Sequence, residues 1–248
     1  MEIQKKELTV LVTGGSRGIG AAISLELASP NYFVIVNFNQ SKDQAEGIVS
    51  KIKDNGGNAI AVQGNIADAK ECKIMFETIE KSIGNVDVLI NNAGITRDKS
   101  FRKMGLEEWN AVIDTNLSSA FNTTKLALPS MIENKFGRII NISSVIGQTG
   151  GFGQTNYAAA KSGLIGFTKS LALETAKYGV TVNSICPGFI GTEMVGAMPE
   201  EVLNSIILKI PVNRLGDPNE IAKGVKFLIE SSYITGQSLN INGGLYMM

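Results

Sequence analysis

The chain has 248 residues, 44% of them hydrophobic, so it is long enough to bury a sizeable core as one large α/β domain or two small ones. Lys plus Arg and Asp plus Glu balance at 23 each without forming a basic patch, which excludes the charge footprint of a nucleic-acid-binding protein. The apolar runs are too short to span a bilayer, and residues 1–7 lack the apolar region of a signal peptide, so a cytoplasmic protein without membrane contact is expected.

The sequence contains no histidine and two cysteines. Without histidine, Ser-His-Asp catalysis and the usual zinc sites are excluded, and no metal site is predicted. Cys72 lies in a helical pattern and Cys186 ends an apolar strand, so both are expected to be buried free thiols. The chemistry must therefore depend on Tyr, Lys, Ser, carboxylates or a bound cofactor.

The first apolar strand, Leu8 to Val12, runs into a glycine-rich loop, Thr13 to Gly20, which opens a helix. Glycines let a ligand approach the backbone closely, and a helix N-terminus presents free N–H groups to a phosphate. The spacing Gly-x-x-x-Gly-x-Gly departs from the general dinucleotide fingerprint, so a merely structural turn stays open as an alternative. The order of strand, loop and helix is the context that a dinucleotide site needs.

The second strand, Phe33 to Phe38, ends without the acidic residue that NAD-binding enzymes usually place there to hold the ribose 2′-hydroxyl. Asn37 and Lys42 stand nearby, and Arg17 in the glycine loop adds a second cation. This neighbourhood would accept a 2′-phosphate, which favours NADP over NAD. The alternative is that Arg17 and Lys42 are solvated surface charges.

Strands and helices then alternate along the chain, which predicts right-handed βαβ crossovers and a parallel sheet. We therefore expect an α/β fold, a single doubly wound Rossmann domain over residues 1–248 with about seven strands. Polar or glycine clusters follow four of these strands, at Thr13 to Gly20, Asn91 to Gly94, Ser143-Ser144 and Pro187-Gly188. Ligands of doubly wound sheets bind outside the carboxyl ends of the strands, so these clusters should form one site.

Ser144 ends a strand, a glycine-rich loop follows, and Tyr157 and Lys161 lie four residues apart at the start of the next helix. That spacing puts both side chains on one helical face, where the ammonium should lower the pKa of the phenol from about 10. Tyr157 could then act as an acid or base near neutral pH. Taken alone, however, such a pair is more often a surface pair, and Ser144 could be a strand-end cap.

Two further segments have a less definite pattern. Asn116 sits between two helical stretches, where an asparagine could serve as a cap or a kink. Residues 189–212 carry apolar side chains without a regular period, and we expect them to form a lid over an apolar-lined pocket.

Together these residues resemble the motif set of the short-chain dehydrogenase/reductase family. In chain order the motifs are Thr13-Gly14-x-x-x-Gly18-Ile19-Gly20, Asn91-Asn92-Ala93-Gly94, Asn116, Ser144, Tyr157-x-x-x-Lys161 and Pro187-Gly188. The stretch Asn91 to Asp98 is similar to members that reduce 3-oxoacyl thioesters of coenzyme A or of acyl carrier protein. Phe101 to Met104 and Phe152 to Tyr157 resemble the acetoacetyl-CoA reductases more closely, although Gly151 and Phe189 depart from that type.

The resemblance implies NADPH-dependent reduction of a 3-oxoacyl thioester to the (R)-3-hydroxyacyl thioester, with acetoacetyl-CoA favoured and an acyl-carrier-protein thioester as the alternative. In this mechanism Ser144 holds the ketone oxygen, Tyr157 donates a proton, and Lys161 lowers the pKa of Tyr157 and binds the nicotinamide ribose. Asn116 anchors a water relay that restores the proton of Tyr157.

The resemblance also implies two sets of binding residues. Those for NADP(H) are Gly14, Ser16, Arg17, Gly18, Ile19, Gly20, Asn37, Lys42, Asn65, Ile66, Asn92, Ala93, Gly94, Tyr157, Lys161, Pro187, Gly188, Ile190 and Thr192. Those for the substrate are Asp98, Lys103, Ser144, Phe152, Gln154 and Phe189. A homotetramer is implied as well, with the long helices from about Ser118 and Thr155 at its interfaces. A catalytically silent nucleotide sensor on the same fold is a distant alternative, against which the intact catalytic set argues.

Overall fold

The computed structural model describes residues 7–196 and 199–247; the other residues of the predicted single domain, including Ala197 and Met198 of the predicted lid, lie outside this part. Seven strands form one sheet in which every described pair is parallel. The strands are β1 (Leu8–Val12), β2 (Tyr32–Phe38), β3 (Asn58–Gln63), β4 (Val88–Asn91), β5 (Gly137–Ile142), β6 (Val180–Pro187) and β7 (Ser238–Ile241). The prediction of one doubly wound α/β sheet of about seven strands is confirmed.

Helices alternate with the strands along the chain. They are α1 (Gly18–Glu26), α2 (Lys42–Asp54), α3 (Ala69–Ser82), α4 (Leu106–Ile113), α5 (Ser119–Glu133), α6 (Ile146–Thr149), α7 (Thr155–Thr175), α8 (Glu193–Gly196), α9 (Glu200–Ile207) and α10 (Pro218–Glu230). A π-helical turn, Asp114–Ser118, joins α4 to α5, and a 3₁₀ turn, Ala176–Tyr178, follows α7. In the described part of the chain, no helix is both long enough and apolar enough to cross a bilayer.

The sheet separates two hydrophobic cores. Val10 of β1 faces a core formed with α1, α2 and α10, whereas its neighbour Leu11 faces a core formed with α3, α5 and α7. Both faces are therefore covered, and this explains why most strand positions are apolar. The two cysteines are buried and free, as predicted.

The strand order β3-β2-β1-β4-β5-β6-β7 reverses direction between β1 and β4. The register aligns the carboxyl ends of the central strands, with Val12 beside Ile90 and Asn91 beside Asn141. Because ligand sites of doubly wound sheets lie at such a reversal, this edge is where the polar clusters should meet. The segment predicted as a lid contains the two short helices α8 and α9 beyond the carboxyl end of β6.

Candidate active site

The glycine loop between β1 and α1 is folded tightly. Gly14 and Gly18 have φ angles of 61° and 53°, in the left-handed region that side chains other than glycine rarely adopt. A Cβ atom added to Gly20 would lie 2.3 Å from the carbonyl oxygen of Gly14. The loop therefore closes on the first turn of α1, whose leading N–H groups have no intrahelical partners and can bind an anion.

Asn92 and Thr13 join this loop to the end of β4. The Nδ2 atom of Asn92 donates to the carbonyl oxygens of Thr13 at 2.9 Å and Gly14 at 3.2 Å. The hydroxyl of Thr13 accepts from the backbone N–H groups of Asn92 and Ala93 and donates to the carbonyl oxygen of Ile90. Two segments predicted to bind the dinucleotide are thus bonded directly to each other. Sequence analysis gave Thr13 no role of its own, but its hydroxyl joins the glycine loop to the segment after β4.

Asn37 lies beneath the glycine loop and not on the ligand side of it. Its side chain is 2% exposed; Oδ1 accepts from the N–H of Gly14 at 3.2 Å, and Nδ2 donates to the carbonyl oxygen of Gly64 at 3.0 Å. The amide therefore supports the loop, and this placement differs from the direct contact with the cofactor that the sequence suggested. The amide points inward because backbone groups of Gly14 and Gly64 satisfy its oxygen and its nitrogen there.

Arg17 and Lys42 differ in how far their charges are compensated. Lys42 lies 3.6 Å from Glu46 in an exposed ion pair. Arg17 is exposed at the start of α1, and no ion pair engages it within the described residues. It lines an open groove together with Lys51 of α2, which sequence analysis did not select, and Glu193 of α8. An uncompensated guanidinium beside a helix N-terminus fits a phosphate group of a dinucleotide.

The remaining residues predicted for the dinucleotide lie along the same edge. A Cβ on Gly94 would lie 3.4 Å from Oδ1 of Asn116 and 3.5 Å from Nζ of Lys161, and one on Gly18 would lie 3.4 Å from the methyl group of Thr192. The loop after β6 therefore approaches the glycine loop. The other members follow the strands β3 and β6, as Asn65, Ile66, Pro187, Gly188 and Ile190.

Asn116 occupies the π-helical turn, the irregularity that its position between two helical stretches suggested. Its side-chain amide bonds both backbone groups of Ile95, accepting from the N–H at 2.8 Å and donating to the carbonyl at 2.9 Å. The side chain thus fixes the segment after β4. The amide has a second N–H and a second lone pair with which it can still bind the water of a relay, and π turns are frequent at functional sites.

Ser144, Tyr157 and Lys161 are brought together at the carboxyl end of β5. The Oγ atom of Ser144 accepts from the N–H of Ile146 at 3.1 Å, and its side chain lies close enough to Tyr157 to lower the pKa of that phenol. The ammonium of Lys161 donates to the carbonyl oxygen of Ile142 at 2.7 Å and lies 5.6 Å from the ring centroid of Tyr157. The predicted catalytic side chains therefore form one cluster beside Gly94 and the glycine loop.

Of the residues predicted for the substrate, Asp98 lies close enough to Tyr157 to raise the pKa of that phenol. Gln154 donates to the carboxylate of Asp98 at 2.9 Å, which joins the loop before α7 to the segment after β4. The side chain of Phe152 is 98% exposed, and Lys103 is also exposed. Phe189 is placed differently, because it lines a cavity with Ile210 and Val212 that none of the four predicted catalytic residues lines.

A family model described as short chain dehydrogenase matches residues 8–202. The chain belongs to this family. It is 47% identical over 245 residues to a 3-oxoacyl-[acyl-carrier-protein] reductase FabG of Staphylococcus aureus, covering 98% of this chain and 100% of the relative. It is 50% identical over 238 residues to an acetoacetyl-CoA reductase of Cupriavidus necator, covering 95% and 97%. A 3-oxoacyl-[acyl-carrier-protein] reductase of Synechocystis sp. is 49% identical over 240 residues, covering 96% of each.

This short-chain dehydrogenase is therefore an oxidoreductase, and the family implies a nicotinamide cofactor. The described residues fit such a group. The glycine loop is free of side chains where φ is positive, the helix N-terminus behind it is unobstructed by acidic residues in its first turn, and Arg17 supplies an uncompensated charge.

The electrostatics of the dehydrogenase's tyrosine differ from the sequence-based expectation. Burial raises the pKa of Tyr157, the hydrogen bond with Ser144 lowers it, and the Asp98 carboxylate raises it further, so that the pKa lies above its ordinary value of 10.0. The prediction of a lowered pKa is therefore wrong for the protein by itself. The desolvation of the phenol outweighs a cation that bonds the carbonyl oxygen of Ile142. A raised pKa keeps the hydroxyl protonated and ready to donate.

The cation of this dehydrogenase is itself perturbed. Lys161 is 3% exposed, and burial lowers its pKa to about 8, although the nearby Cys186 acts in the opposite direction. The ammonium form therefore predominates at neutral pH and is lost as the pH rises through this value.

We expect kcat for ketone reduction to be highest below about pH 8 and to decline on the alkaline side, because a phenolate left by Tyr157 then loses its counter-charge. The measurement is kcat at saturating substrate and dinucleotide from about pH 6 to about pH 10. A kcat that increases through this alkaline range would contradict the role given to Lys161.

Proposed function

We propose that the chain reduces 3-oxoacyl thioesters to (R)-3-hydroxyacyl thioesters with NADPH, and that acetoacetyl-CoA is its favoured substrate. The observation that carries the proposal is the clustering of Ser144, Tyr157 and Lys161 at the sheet edge that also bears the glycine loop, with Nζ of Lys161 5.6 Å from the ring centroid of Tyr157. It sets two hydroxyl groups side by side, as one ketone oxygen requires. The curated relatives named above reduce thioesters of this class by their printed names, which supports the same substrate class here.

The two hydroxyl groups would act in sequence. When bound, the dinucleotide supplies a hydride to the 3-oxo carbon, and negative charge develops on the ketone oxygen. The Oγ atom of Ser144 already accepts from Ile146, so its own proton points elsewhere and can be donated to that oxygen. Tyr157 then transfers its proton to the oxygen, and the carbonyl becomes a hydroxyl group.

Lys161 would stabilise the phenolate that this transfer leaves. Its ammonium is held by the carbonyl oxygen of Ile142, at a fixed place near the ring of Tyr157 and next to Gly94. A buried cation acts strongly on a nearby anion because little water screens it. Solvent then returns a proton to Tyr157, and the π-helical turn of Asn116 is the proposed route.

Two features support NADPH over NADH. Arg17 makes no ion pair within the described residues, and the groove that it lines contains two cations, Arg17 and Lys51, and one carboxylate, Glu193. The end of β2 presents Asn37 and Asn39, so no carboxylate stands there to hold a 2′-hydroxyl or repel a 2′-phosphate. Because the amide of Asn37 points inward, the preference for NADPH depends on Arg17 and Lys51.

The acyl carrier is the finer part of the proposal. The stretch Phe152 to Tyr157, whose Gln154 bonds Asp98, resembles acetoacetyl-CoA reductases and supports the coenzyme A thioester. The departures at Gly151 and Phe189, and the relatives whose names include acyl carrier protein, support the alternative.

The deciding experiment compares kcat/KM for acetoacetyl-CoA and acetoacetyl-acyl carrier protein, each with NADPH and with NADH. We expect acetoacetyl-CoA to be preferred, and NADPH to exceed NADH by more than about tenfold. A preference for the carrier-protein thioester would assign the chain to the alternative. Higher kcat/KM with NADH would refute the role of Arg17.

We also propose a homotetramer. The exposed apolar side chains of Phe121 on α5 and Leu173 on α7, at 58% and 86% exposure, support an interface on the two long helices. An apolar side chain exposed on each long helix is the kind of group that a subunit interface would cover.

A further inference from the structure

A row of polar side chains crosses the sheet just below the site. In the parallel register Asn91 of β4 lies beside Asn141 of β5, which lies beside Ser184 of β6. All three residues are buried. Strands covered on both faces are ordinarily apolar, and a buried polar group costs free energy unless it is hydrogen-bonded. The row therefore requires a physical reason.

The side-chain amides of Asn91 and Asn141 belong to a continuous chain of hydrogen bonds. The Nδ2 atom of Asn91 donates to Oδ1 of Asn141 at 2.8 Å, and Nδ2 of Asn141 donates to Oγ1 of Thr168 at 2.8 Å. Thr168 in turn donates to the carbonyl oxygen of Leu164 at 2.8 Å. At the other end, Thr123 donates to Oδ1 of Asn91 at 2.7 Å. We call these four residues, Thr123, Asn91, Asn141 and Thr168, the buried amide chain.

The buried amide chain links the elements that carry the catalytic side chains. Thr168 follows Lys161 by seven residues on α7, and Thr123 follows Asn116 by seven residues on the π turn and α5. Seven residues are two turns of an α-helix, so Thr168 lies on the same face of α7 as Lys161, roughly 10 Å further along the helix. Asn141 lies on β5, between these two helices in the sequence, and Ser144 follows it by three residues, just after the end of the strand.

We propose that Thr168 is a positioning residue, which holds α7 at one place along β5 through its bond with Asn141. Apolar contacts between a helix and a sheet tolerate small displacements, whereas a fully satisfied polar chain is compatible with one arrangement. The bond thereby fixes where Tyr157 and Lys161 stand relative to Ser144 and the carbonyl oxygen of Ile142. This inference rests on the proposed function, since it concerns the geometry of that reaction.

Thr175 offers a matched control on the same helix. Thr168 and Thr175 are 0% and 1% exposed, and each donates to the carbonyl oxygen four residues earlier at 2.8 Å. Of these two threonines, Thr168 also accepts a hydrogen bond from the side-chain amide of Asn141 on β5, whereas the side-chain bonds of Thr175 to the described residues are all donated by its hydroxyl. Changing each threonine to valine removes the same hydroxyl from the same kind of buried site, but only Thr168→Val leaves Asn141 without its acceptor.

We expect Thr168→Val to lower kcat about tenfold while KM for NADPH changes less than about twofold, because the chemistry depends on sub-ångström placement more than binding does. Thr168→Ser keeps the hydroxyl and should restore kcat. Thr175→Val should lower the melting temperature by a similar amount and leave kcat within about twofold of wild type. Thermal unfolding measured on the same samples separates stability from positioning.

Should Thr168→Val fail to fold, Thr123→Val interrupts the buried amide chain at its opposite end and is expected to lower kcat in the same way. If the folded Thr168→Val or Thr123→Val protein retains normal kcat, or if Thr175→Val loses as much activity, the positioning role is overturned and the proposed function stands. If the wild-type protein reduces no 3-oxoacyl thioester, both are overturned.

Discussion

Replacing Tyr157 by phenylalanine is expected to lower kcat about a thousandfold, because the substitution removes the hydroxyl group that we propose protonates the ketone oxygen. Binding of NADPH should be largely unchanged, since the ring is retained and the ammonium of Lys161 keeps its bond to the carbonyl oxygen of Ile142. The measurement combines NADPH consumption with a binding titration of the same protein.

Tyr178→Phe is a suitable control for this experiment. Tyr178 lies in the 3₁₀ turn after α7, is partly exposed, and takes no part in the catalytic cluster. Its variant should turn over at the wild-type rate. Activity of Tyr157→Phe close to that of Tyr178→Phe would rule out Tyr157 as the proton donor.

Replacing Gly20 by alanine should destabilise the protein by about 3 kcal/mol, through overpacking against atoms that cannot move aside. The added methyl group would lie 2.3 Å from the carbonyl oxygen of Gly14 and 2.6 Å from Nδ2 of Asn92. Relief of either clash displaces the glycine loop, so NADPH binding should weaken as well. Chemical denaturation monitored by circular dichroism gives the free energy of unfolding.

Gly47→Ala provides the matched comparison, because Gly47 also lies within a helix but a Cβ atom there meets nothing within 4 Å. That substitution should stabilise the protein by about 0.5 to 1 kcal/mol, through the better helix propensity of alanine. Equal stability of the two variants would show that the glycine loop is not as tightly closed as its geometry indicates.

Much of the fold follows from local patterns in the sequence. The apolar strands and the helices between them alternate strictly, and right-handed crossovers then leave a parallel sheet as the expected arrangement. The π-helical turn at Asn116 is different, because it depends on the bond between its amide and Ile95, whose position is set by the fold. The short helix α6 within the glycine-rich loop before Tyr157 was equally hidden from periodicity.

The site divides in the same way. Residue type and order were sufficient to predict that Ser144, Tyr157 and Lys161 lie together. Ser144 follows the carboxyl end of a strand, and the four-residue spacing places Tyr157 and Lys161 on one face of the next helix. The inward orientation of Asn37 and the raised pKa of Tyr157 depend on burial, which no local pattern reports. Thr168 escaped notice for a related reason, since its partner Asn141 is 27 residues away along the chain.

The central claim is that Ser144, Tyr157 and Lys161 catalyse the reduction of 3-oxoacyl thioesters. Its most direct test is the absorbance of NADPH after acetoacetyl-CoA is added to the wild-type protein. We predict a steady decay, with one (R)-3-hydroxyacyl thioester formed for each NADPH consumed. Absence of decay with acetoacetyl-CoA and with every other 3-oxoacyl thioester, in a protein that binds NADPH, would contradict the claim and favour a nucleotide sensor.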